Sequence, residues 1–384
     1  MRIGVIGCGM VSHAYCGTIA RAPDLELAAL ASRTMASAEA RAAQYGGVAT
    51  SVDALLADAG IDLVVVLAPP SLHHSLGRQV LAAGKHLYLE KPLATSLADA
   101  ADLLTLAAAS GLQIGCAPDT FLGEGHQRAR ALLDDDAIGR PTGGSVAFGT
   151  AGMEGWHPDP TFFFAAGGGP LLDIGGYYVT QLVDLLGPVA AVSALGATPR
   201  SERIARDGGR IPVSVPTSVA GALRFDSGAL VSLSMSWDVL AHRRPPIEIY
   251  GETGTLVLPD PNGFGGATLR GDGGGWETYG QDATRRPPTV DQVAQGVAAL
   301  MRGIDPVTGG AVGPETSLRL GDRRGLGIVE MVQAIRSGRA PRAGGALAYH
   351  VLETLIALER SCAGDGMVAV ASRVGRPAAV EGDS

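Results

Sequence analysis

Cysteine is scarce in this 384-residue chain, and its cysteines are not clustered. There are four, Cys8, Cys16, Cys116 and Cys362, and no two of them form a Cys-x-x-Cys pair. This spacing argues against both a disulfide framework and a zinc site, so we expect no bound metal. Free, scattered thiols suit a reducing compartment, and the sequence therefore favours a cytoplasmic protein.

Long apolar runs and blocks of basic residues are also missing. No uninterrupted apolar stretch approaches the roughly 20 residues that a membrane span requires. The apolar N-terminal run is broken by Gly4, Gly7 and Gly9 and ends in no small-x-small cleavage site, so we expect no signal peptide. A formal net charge of −8 without a Lys/Arg cluster argues against nucleic acid as a partner. The expected partner is a small polar molecule, with neither membrane nor nucleic acid involved.

The residues that are present describe a folded protein with two domains. Hydrophobic residues make up 46% and charged residues 18% of the chain, a globular composition, and the length exceeds that of one ordinary core. Short apolar runs alternate with amphipathic ones in the first third. The predicted strands there are Ile3–Ile6, Leu25–Ala31, Leu63–Leu67, His86–Leu89 and Leu112–Ala117, and the predicted helices are Met10–Ala20, Ala36–Tyr45, Val52–Ala57, Ser75–Ala83 and one that begins after Ser96. Strands that alternate with helices predict a doubly wound parallel sheet.

The pattern changes after Pro118, where several strand-like segments follow one another without a helix between them. Predicted helices there are Gln127–Asp134, Leu171–Leu186, Leu326–Ile335 and Ala346–Ser361, predicted strands are Ala229–Trp237, Pro246–Tyr250 and Thr255–Leu258, and Gly263–Arg286 is predicted to be loop. We predict an α/β protein. An N-terminal Rossmann sheet occupies residues 1–118, an α+β domain with an open, mostly antiparallel sheet occupies 119–364, and residues 365–384 form a tail.

A glycine-rich turn near the N-terminus predicts a dinucleotide site. Gly7-Cys8-Gly9-Met10-Val11-Ser12 is a G-x-G-x-x-G fingerprint with serine in place of the third glycine. It follows a predicted strand and opens a predicted helix, which is the context that the motif requires. Gly7 allows the tight turn, and Gly9 lets a pyrophosphate approach the backbone at the positive end of the helix. We expect Met10 and Val11 to lie beside the same cofactor.

The end of the second predicted strand bears on the choice of cofactor. NAD-dependent enzymes carry Asp or Glu there to bind the ribose 2′-hydroxyl, whereas this chain has Ser32-Arg33. A serine and an arginine would hold a 2′-phosphate that a carboxylate would repel. We therefore favour NADP. In the alternative, Arg33 stacks on the adenine and NAD binds instead.

Three further segments resemble one family of oxidoreductases. Lys85–Pro92 ends in Glu-Lys-Pro, Ala68–His73 reads Ala-Pro-Pro-Ser-Leu-His, and Gly167–Tyr178 is a glycine run followed by a helix that carries an aspartate. Together with the fingerprint they resemble the glucose–fructose oxidoreductase/inositol dehydrogenase (Gfo/Idh/MocA) family over nearly the whole chain. Alanine and proline replace the threonine and asparagine of the family's Thr-Pro-Asn-x-x-His loop.

The resemblance implies a nucleotide-binding domain, a second domain on an open sheet, and a site between them. It assigns Lys91 as the catalytic lysine and Asp173 as the acid that contacts substrate or base. On the cofactor side it implies Ala68, Pro69, His73, Glu90 and Lys91.

The family's general-base histidine falls on Tyr177, which is a departure. Asp173 and Tyr177 are four residues apart, so on a helix they share a face. A neighbouring ammonium such as Lys91 would help a phenol to ionise, so a Tyr–Lys acid/base pair is chemically sensible. In the alternative, Tyr177 only shapes the pocket and Lys91 or water handles the proton.

Four other residues are candidates for contact with the substrate. Asp119 and Thr120 directly follow a predicted strand end, where open α/β sheets bind ligands. Trp156 and His157 precede the glycine run, although a histidine that merely caps a loop is an equally good interpretation.

These features predict an NAD(P)-dependent enzyme that moves a hydride between a nicotinamide cofactor and a secondary hydroxyl or ketone. The substrate would be a sugar, a sugar derivative or a cyclitol. Two alternatives remain open: an NAD-dependent glycosidase that uses an oxidation–elimination–reduction cycle, and a non-catalytic nucleotide-sensing protein. We also predict a homo-oligomer, dimer or tetramer, because the apolar face of Ala229–Trp237 has to be covered. In the resembling family a partner subunit often covers it, but the domain's own helices could do so instead.

Overall fold

A computed structural model describes residues 1–280 and 290–380 of the protein. The chain divides into two compact units, Met1–Thr120 with Val297–Tyr349, and Phe121–Gly296 with His350–Ser384. The first boundary lies close to the one expected at 118/119. Residues 297–349, which the sequence assigned to the second domain, instead pack with the first unit, because Ile328, Met331 and Val332 lie in its core.

The first unit contains a six-stranded sheet of order β3-β2-β1-β4-β5-β6, in which every pair is parallel. Its strands are β1 (Arg2–Ile6), β2 (Glu26–Ala31), β3 (Val48–Thr50), β4 (Leu63–Val66), β5 (His86–Leu89) and β6 (Ile114–Cys116). The helices between them are α1 (Ser12–Arg21), α2 (Met35–Tyr45), α3 (Val52–Ala57), α4 (His73–Ala82) and α5 (Leu97–Ala109). The Rossmann prediction is confirmed. Only the three-residue edge strand β3 was not predicted.

Local chemistry explains why these elements form where they do. Strand β4 is apolar at each residue and buried at each residue, as expected for a strand covered on both faces. Ser51 and Ser96 cap α3 and α5 by accepting the amides of Ala54 and Asp99, each at 3.1 Å.

The second unit is built on a nine-stranded mixed sheet of order β16-β15-β14-β13-β7-β12-β11-β8-β17. The pair β7/β12 is parallel and the other pairs are antiparallel. The strands are β7 (Pro141–Gly149), β8 (Val189–Ala197), β11 (Ser218–Phe225), β12 (Leu230–Ser236), β13 (Ile247–Gly251), β14 (Thr255–Leu258), β15 (Thr268–Gly271), β16 (Trp276–Tyr279) and β17 (Val368–Ala369), with a separate hairpin of β9 (Glu202–Ile204) and β10 (Arg210–Pro212). The expected open, mostly antiparallel sheet is confirmed.

The other helices of the described residues lie in the second part of the chain. They are α6 (Glu124–Asp134), α7 (Gly169–Leu186), α8 (Val290–Met301), α9 (Thr316–Arg319), α10 (Leu326–Arg336) and α11 (Gly345–Arg360). The predicted loop Gly263–Arg286 is wrong in part, since it contains β15 and β16; its residues 281–286 lie outside the described residues. Short strands among glycines lack the alternating pattern by which strands are predicted.

The apolar face of β12 is covered by the unit's own elements. Val231, Leu233, Met235 and Trp237 are buried, α7 packs on β11 and β12, and Phe164 packs edge-on against Trp237 at a ring-centroid distance of 5.5 Å. Of the two alternatives that the sequence left open for this face, the structure therefore shows the one in which the domain's own elements cover it.

Residues 365–380 are tied to the second unit and do not form a loose tail. Strand β17 pairs with β8, and the Glu353 carboxylate accepts the amides of Ala371 and Ser372 at 2.9 and 2.8 Å. Arg376 forms an ion pair with Asp134 at 2.7 Å. The tail was predicted from the position of these residues at the end of the chain, which carries no information about such distant partners. Over the described parts of the chain, we find no helix whose length and apolar character would let it cross a bilayer.

Candidate active site

The glycine-rich turn has the geometry that a dinucleotide requires. Gly7 has φ 108°, and a Cβ there would lie 2.7 Å from the carbonyl carbon of Leu67, so only glycine fits. A Cβ at Gly9 would meet nothing within 4 Å, and both Gly9 and Met10 are exposed, which leaves the turn open to a ligand. Ser12 is buried and donates to the Gly9 carbonyl at 2.6 Å, closing the turn.

A buried arginine that the sequence did not single out lies against this turn. Arg41 of α2 is 8% exposed, and its guanidinium donates to the carbonyls of Cys8 and Gly9 at 3.3 and 3.1 Å. It also contacts His13, whose pKa falls to about 3 because of burial and then because of the Arg41 charge. His13 is therefore neutral, and Arg41 supplies positive charge directly next to the turn. No sequence motif marks an arginine in the middle of a helix for this place.

The residues proposed for the adenosine side lie at the end of β2. Ser32 is half-buried, and Arg33 is exposed. Arg33 makes no ion pair with a carboxylate within residues 1–280 and 290–380. Thr34 follows and caps α2 by accepting the amide of Ser37 at 3.4 Å.

Lys91 lies on a turn that is held by its neighbour Glu90. The Glu90 carboxylate accepts the backbone N–H of Lys91 and the hydroxyl of Tyr15, both at 2.8 Å. Tyr15 is fully buried on α1, the helix that the glycine-rich turn opens. The peptide bond between Lys91 and Pro92 is cis. One carboxylate thus connects the Lys91 turn to the helix of the dinucleotide motif.

His73 fixes the same turn from the other side. Its side chain is completely buried, with Nδ1 2.6 Å from the Pro92 carbonyl oxygen and Nε2 2.9 Å from that of Ala68. Ala68 is half-buried and Pro69 exposed, at the end of β4. The loop with the family-like sequence is therefore joined to the Glu-Lys-Pro segment by one imidazole.

Asp119 and Thr120 are both buried within the first unit. The Oδ2 atom of Asp119 accepts the amides of Gly325 and Gly327 at 2.9 and 2.8 Å, at the start of α10. Burial raises the pKa of Asp119 to about 6, and these two amides partly offset it. The contacts give Asp119 a structural role as a cap for α10. A substrate contact by Asp119 or Thr120 stays a prediction.

The second unit carries the other candidates at the start of α7 and on the loop after β7. Asp173 is half-buried and Tyr177 is buried one turn later on α7. His157 is half-buried, and its ring packs against Trp156 and Phe163 at centroid distances of 5.4 and 5.0 Å. Burial lowers the pKa of His157, opposed by the Asp159 carbonyl and by the charge of Asp173. His157 is thus electrostatically coupled to Asp173, a relation that their separation in sequence did not reveal.

A second buried arginine organises this region. Arg203 of β9 is 1% exposed and forms ion pairs with Glu154 at 2.9 Å and with Asp238 at 2.6 Å. It therefore ties the loop that carries Trp156 and His157 to the loop that follows β12. In the described parts of the chain, no three His, Cys, Asp or Glu side chains are grouped so that they could hold a metal ion.

Comparison with known proteins agrees with this geometry. Residues 1–117 match the sequence model of the oxidoreductase family with an NAD-binding Rossmann fold (GFO_IDH_MocA), and residues 126–257 match that of the GFO/IDH/MocA C-terminal domain. A dTDP-3,4-didehydro-2,6-dideoxy-α-D-glucose 3-reductase from Saccharopolyspora spinosa is 30% identical over 80% of this chain and 89% of its own length. A 1,5-anhydro-D-fructose reductase from Ensifer adhaerens is 27% identical over 67% of this chain and 75% of its own.

Solved structures with a similar fold are also known. The WlbA dehydrogenase from Bordetella pertussis, solved with NADH and UDP-GlcNAcA, superposes with a TM-score of 0.69 at 21% identity, covering 97% of this chain and 98% of the other. The fingerprint, the Glu-Lys-Pro turn, both domain matches and these relatives lead to one conclusion. The chain belongs to the Gfo/Idh/MocA family and is a sugar-related NAD(P)-dependent oxidoreductase acting on CH–OH groups.

Proposed function

We propose that the protein transfers a hydride between a nicotinamide cofactor and a secondary hydroxyl or ketone of a sugar, sugar derivative or cyclitol. The observation that carries the proposal is the Lys91 turn, which Glu90 connects through Tyr15 to the helix of the dinucleotide motif. The turn around Gly7 and Gly9 fits a pyrophosphate, since it is open and lies against the Arg41 charge. The nicotinamide, when bound, supplies or accepts the hydride.

The protein's own residues then manage charge and protons. When a hydroxyl is oxidised its oxygen loses a proton, and the Lys91 ammonium stabilises the negative charge that develops there. Asp173 and Tyr177 are proposed to contact the substrate, with Tyr177 as the general base. Proton transfer and electrostatic stabilisation of this kind are each worth roughly 10²-fold or more in rate.

Lys91 can be tested by chemical modification, because the only other lysine in the chain is Lys85. Lys85 is 3% exposed, and its ammonium donates to the carbonyls of Asp58 and Ile61 at 2.6 and 2.9 Å. Reductive methylation of the native protein should therefore modify Lys91 and the N-terminal amine, and bound cofactor should protect Lys91. Equal labelling with and without cofactor would argue against a position beside the nicotinamide.

Kinetics of Lys91→Ala test its chemical role. We expect turnover to fall by about 10²-fold or more while the dissociation constant for the cofactor changes little. Arg78→Ala is a matched control, because Arg78 is an exposed cation of the same unit paired with Asp102. A Lys91→Ala enzyme with native turnover on a confirmed substrate would refute the assignment.

The base assignment is tested by a pair of variants. Tyr177→Phe removes only a hydroxyl and should reduce turnover by about 10²-fold if Tyr177 is the base. His157→Gln is the informative partner, because the pKa of His157 is lowered and the ring feels the charge of Asp173. If Tyr177→Phe is active and His157→Gln is not, the imidazole is the base and Tyr177 only shapes the pocket.

We propose NADP as the favoured cofactor because Ser32 and Arg33 stand where an NAD enzyme carries an acid. Titration of the pure protein with NADPH and NADH should give the lower dissociation constant for NADPH. Ser32→Asp should move the preference toward NADH. Equal or tighter NADH binding by the native protein would overturn this choice.

A panel of sugars, polyols and nucleotide-linked keto sugars, assayed with both cofactors, should identify the substrate. One of the relatives named above is a reductase of a dTDP-linked sugar and another is named for 1,5-anhydro-D-fructose, so both kinds belong in the panel. Net reduction or oxidation of the cofactor supports the proposal. Cleavage of a glycoside without any net change in the cofactor would support the glycosidase alternative instead. We further propose a cytoplasmic homo-oligomer.

A further inference from the structure

The loop after β12, residues 239–244, ends in three basic residues and carries one very exposed leucine. We call it the basic loop. His242, Arg243 and Arg244 are all exposed, and Leu240 is 87% exposed. Neither Arg243 nor Arg244 forms an ion pair with a carboxylate anywhere in the described chain, whereas the exposed arginines Arg140 and Arg210 pair with Glu252 and Glu202 at 2.7 Å. A protein of net charge −8 thus leaves two adjacent cations without a counter-charge.

The basic loop is anchored at both of its ends. Before it, the Asp238 carboxylate is held by Arg203 and by the hydroxyl of Thr217, each at 2.6 Å. The amide of Val239 donates to the Thr150 carbonyl at 3.0 Å. After it, Pro245 and Pro246 restrict the backbone, and the Pro246 carbonyl accepts the amide of Ala147 at 3.0 Å. Both ends of the basic loop are therefore fixed to the sheet, and only the short segment 240–244 between them carries the arginines.

The basic loop emerges beside the loop that carries Trp156 and His157. Strands β7 and β12 are parallel, and Gly149 pairs with Ser236 at their carboxyl ends, so the two loops leave the sheet at one edge. A Cβ at Gly149 would lie only 3.0 Å from the Val239 Cβ and 3.1 Å from the His242 ring, which shows how closely the basic loop packs there.

The two arginines and the leucine of the basic loop favour a ligand that combines a diphosphate with an apolar group. Guanidinium groups bind phosphate oxygens through paired, charge-assisted hydrogen bonds, and two neighbouring arginines can flank one diphosphate. A carboxylate ligand, in contrast, would be bound by one arginine alone. Leu240 adds an exposed apolar surface. A diphosphate alone makes no apolar contact with it, whereas a nucleoside can pack against it.

We propose that the basic loop binds the diphosphate of a nucleotide-linked sugar, with Leu240 against the nucleoside. This names the substrate class of the sugar oxidoreductase proposed above, and it rests on that function. The free sugar, by contrast, would use the groups at the start of α7 without the basic loop.

The test measures binding of dTDP and UDP to the full-length protein by calorimetry, with NADPH or NADH saturating so that the probes do not enter the dinucleotide site. We expect the double variant Arg243→Gln/Arg244→Gln to weaken dTDP or UDP binding by about 30-fold or more. The native affinity should also fall with added salt, and less steeply in the variant. Leu240→Ser should weaken binding of the nucleotide but not that of inorganic pyrophosphate.

The matched control is Arg140→Gln/Arg210→Gln, which removes the same two charges from exposed sites that already have partners. It should bind dTDP as the native protein does. The proposal is overturned if neither nucleotide binds, if pyrophosphate binds as tightly as both, or if the basic-loop variant binds like the control. Binding is measured without turnover, so a protein that oxidises free sugars but ignores dTDP and UDP refutes this inference alone. One that binds a nucleotide yet turns over no sugar refutes the proposed function.

Discussion

Arg41 shows how one buried charge can prepare a site for an anion. It is 8% exposed and pairs with no carboxylate in the described residues; its Nη2 donates to the carbonyls of Cys8 and Gly9, and its Nη1 donates to the side-chain oxygen of Gln44. Burial of an unpaired cation is costly unless something negative comes close. A dinucleotide pyrophosphate on the glycine-rich turn would bring that charge.

We predict that Arg41→Met weakens binding of NADPH and NADH alike by about tenfold or more, since both carry the pyrophosphate. Arg41→Lys, which keeps the charge, should lose less. Fluorescence titration measures the effect, and thermal melting checks that each variant is folded. Arg78→Met serves as the control because Arg78 is exposed and paired with Asp102. Native-like affinity in Arg41→Met would show that the charge does not assist the cofactor.

At the scale of elements, the link between Asp119 and α10 explains why residues 297–349 return to the first unit. The carboxylate of Asp119 closes the start of α10 through the amides of Gly325 and Gly327, and Ile328 and Met331 of that helix then enter the core. Because burial raises the pKa of Asp119 to about 6, the folded protein binds a proton there more tightly than the unfolded chain does. The free energy that this proton adds to the stability of the folded protein is fully present below about pH 4, and it is lost as the pH rises through about 6.

We predict that the native protein loses up to about 3 kcal/mol relative to Asp119→Asn between pH 4 and pH 7, following the conversion of about 1.4 kcal/mol per pKa unit. Asparagine can still accept the two amides but carries no charge at any pH. Urea denaturation at a series of pH values gives the two free energies of unfolding. Asp53→Asn, at an exposed position of α3, is the control. A difference that stays constant with pH would contradict a raised pKa for Asp119.

At the scale of the whole molecule, the face of the nine-stranded sheet opposite α7 is where we expect self-association. Across it, Ser193, Ala222, Ser232, Ser145 and Glu248 lie in register on neighbouring strands. Leu195 and Leu230 are exposed at 78% and 58%. Small side chains allow two sheets to approach closely, and an exposed leucine gains free energy when it is covered.

We predict that the protein is a homo-oligomer through this outward face, and that Ser232→Arg converts it to smaller species in light scattering. The arginine would place a charge in the middle of the contact. Ser227→Arg is the matched control, since Ser227 lies in the exposed turn between β11 and β12. A native protein that is monomeric at micromolar concentration would refute the prediction, as would equal behaviour of the two variants.

Features that depend on neighbouring residues could be predicted from the amino-acid sequence. The alternation of the first third, the caps at Ser51 and Ser96 and the fingerprint at Gly7 all act within a few residues, so their outcome was predictable. The open sheet was also predictable in kind, since Ala229–Trp237 alternates and the turn after Asp226 is hairpin-like.

Contacts between distant groups, by contrast, depend on how the chain folds. The residue pattern of an amphipathic helix is the same whichever core the helix packs against. The sequence therefore could not place α10 in the first unit or α7 over the apolar face of β12. Arg41 and Asp119 owe their burial and their partners to chain segments 32 and more than 200 residues away. Their chemistry follows from that burial, because desolvation and unpaired charge are properties of a folded neighbourhood and not of a residue type.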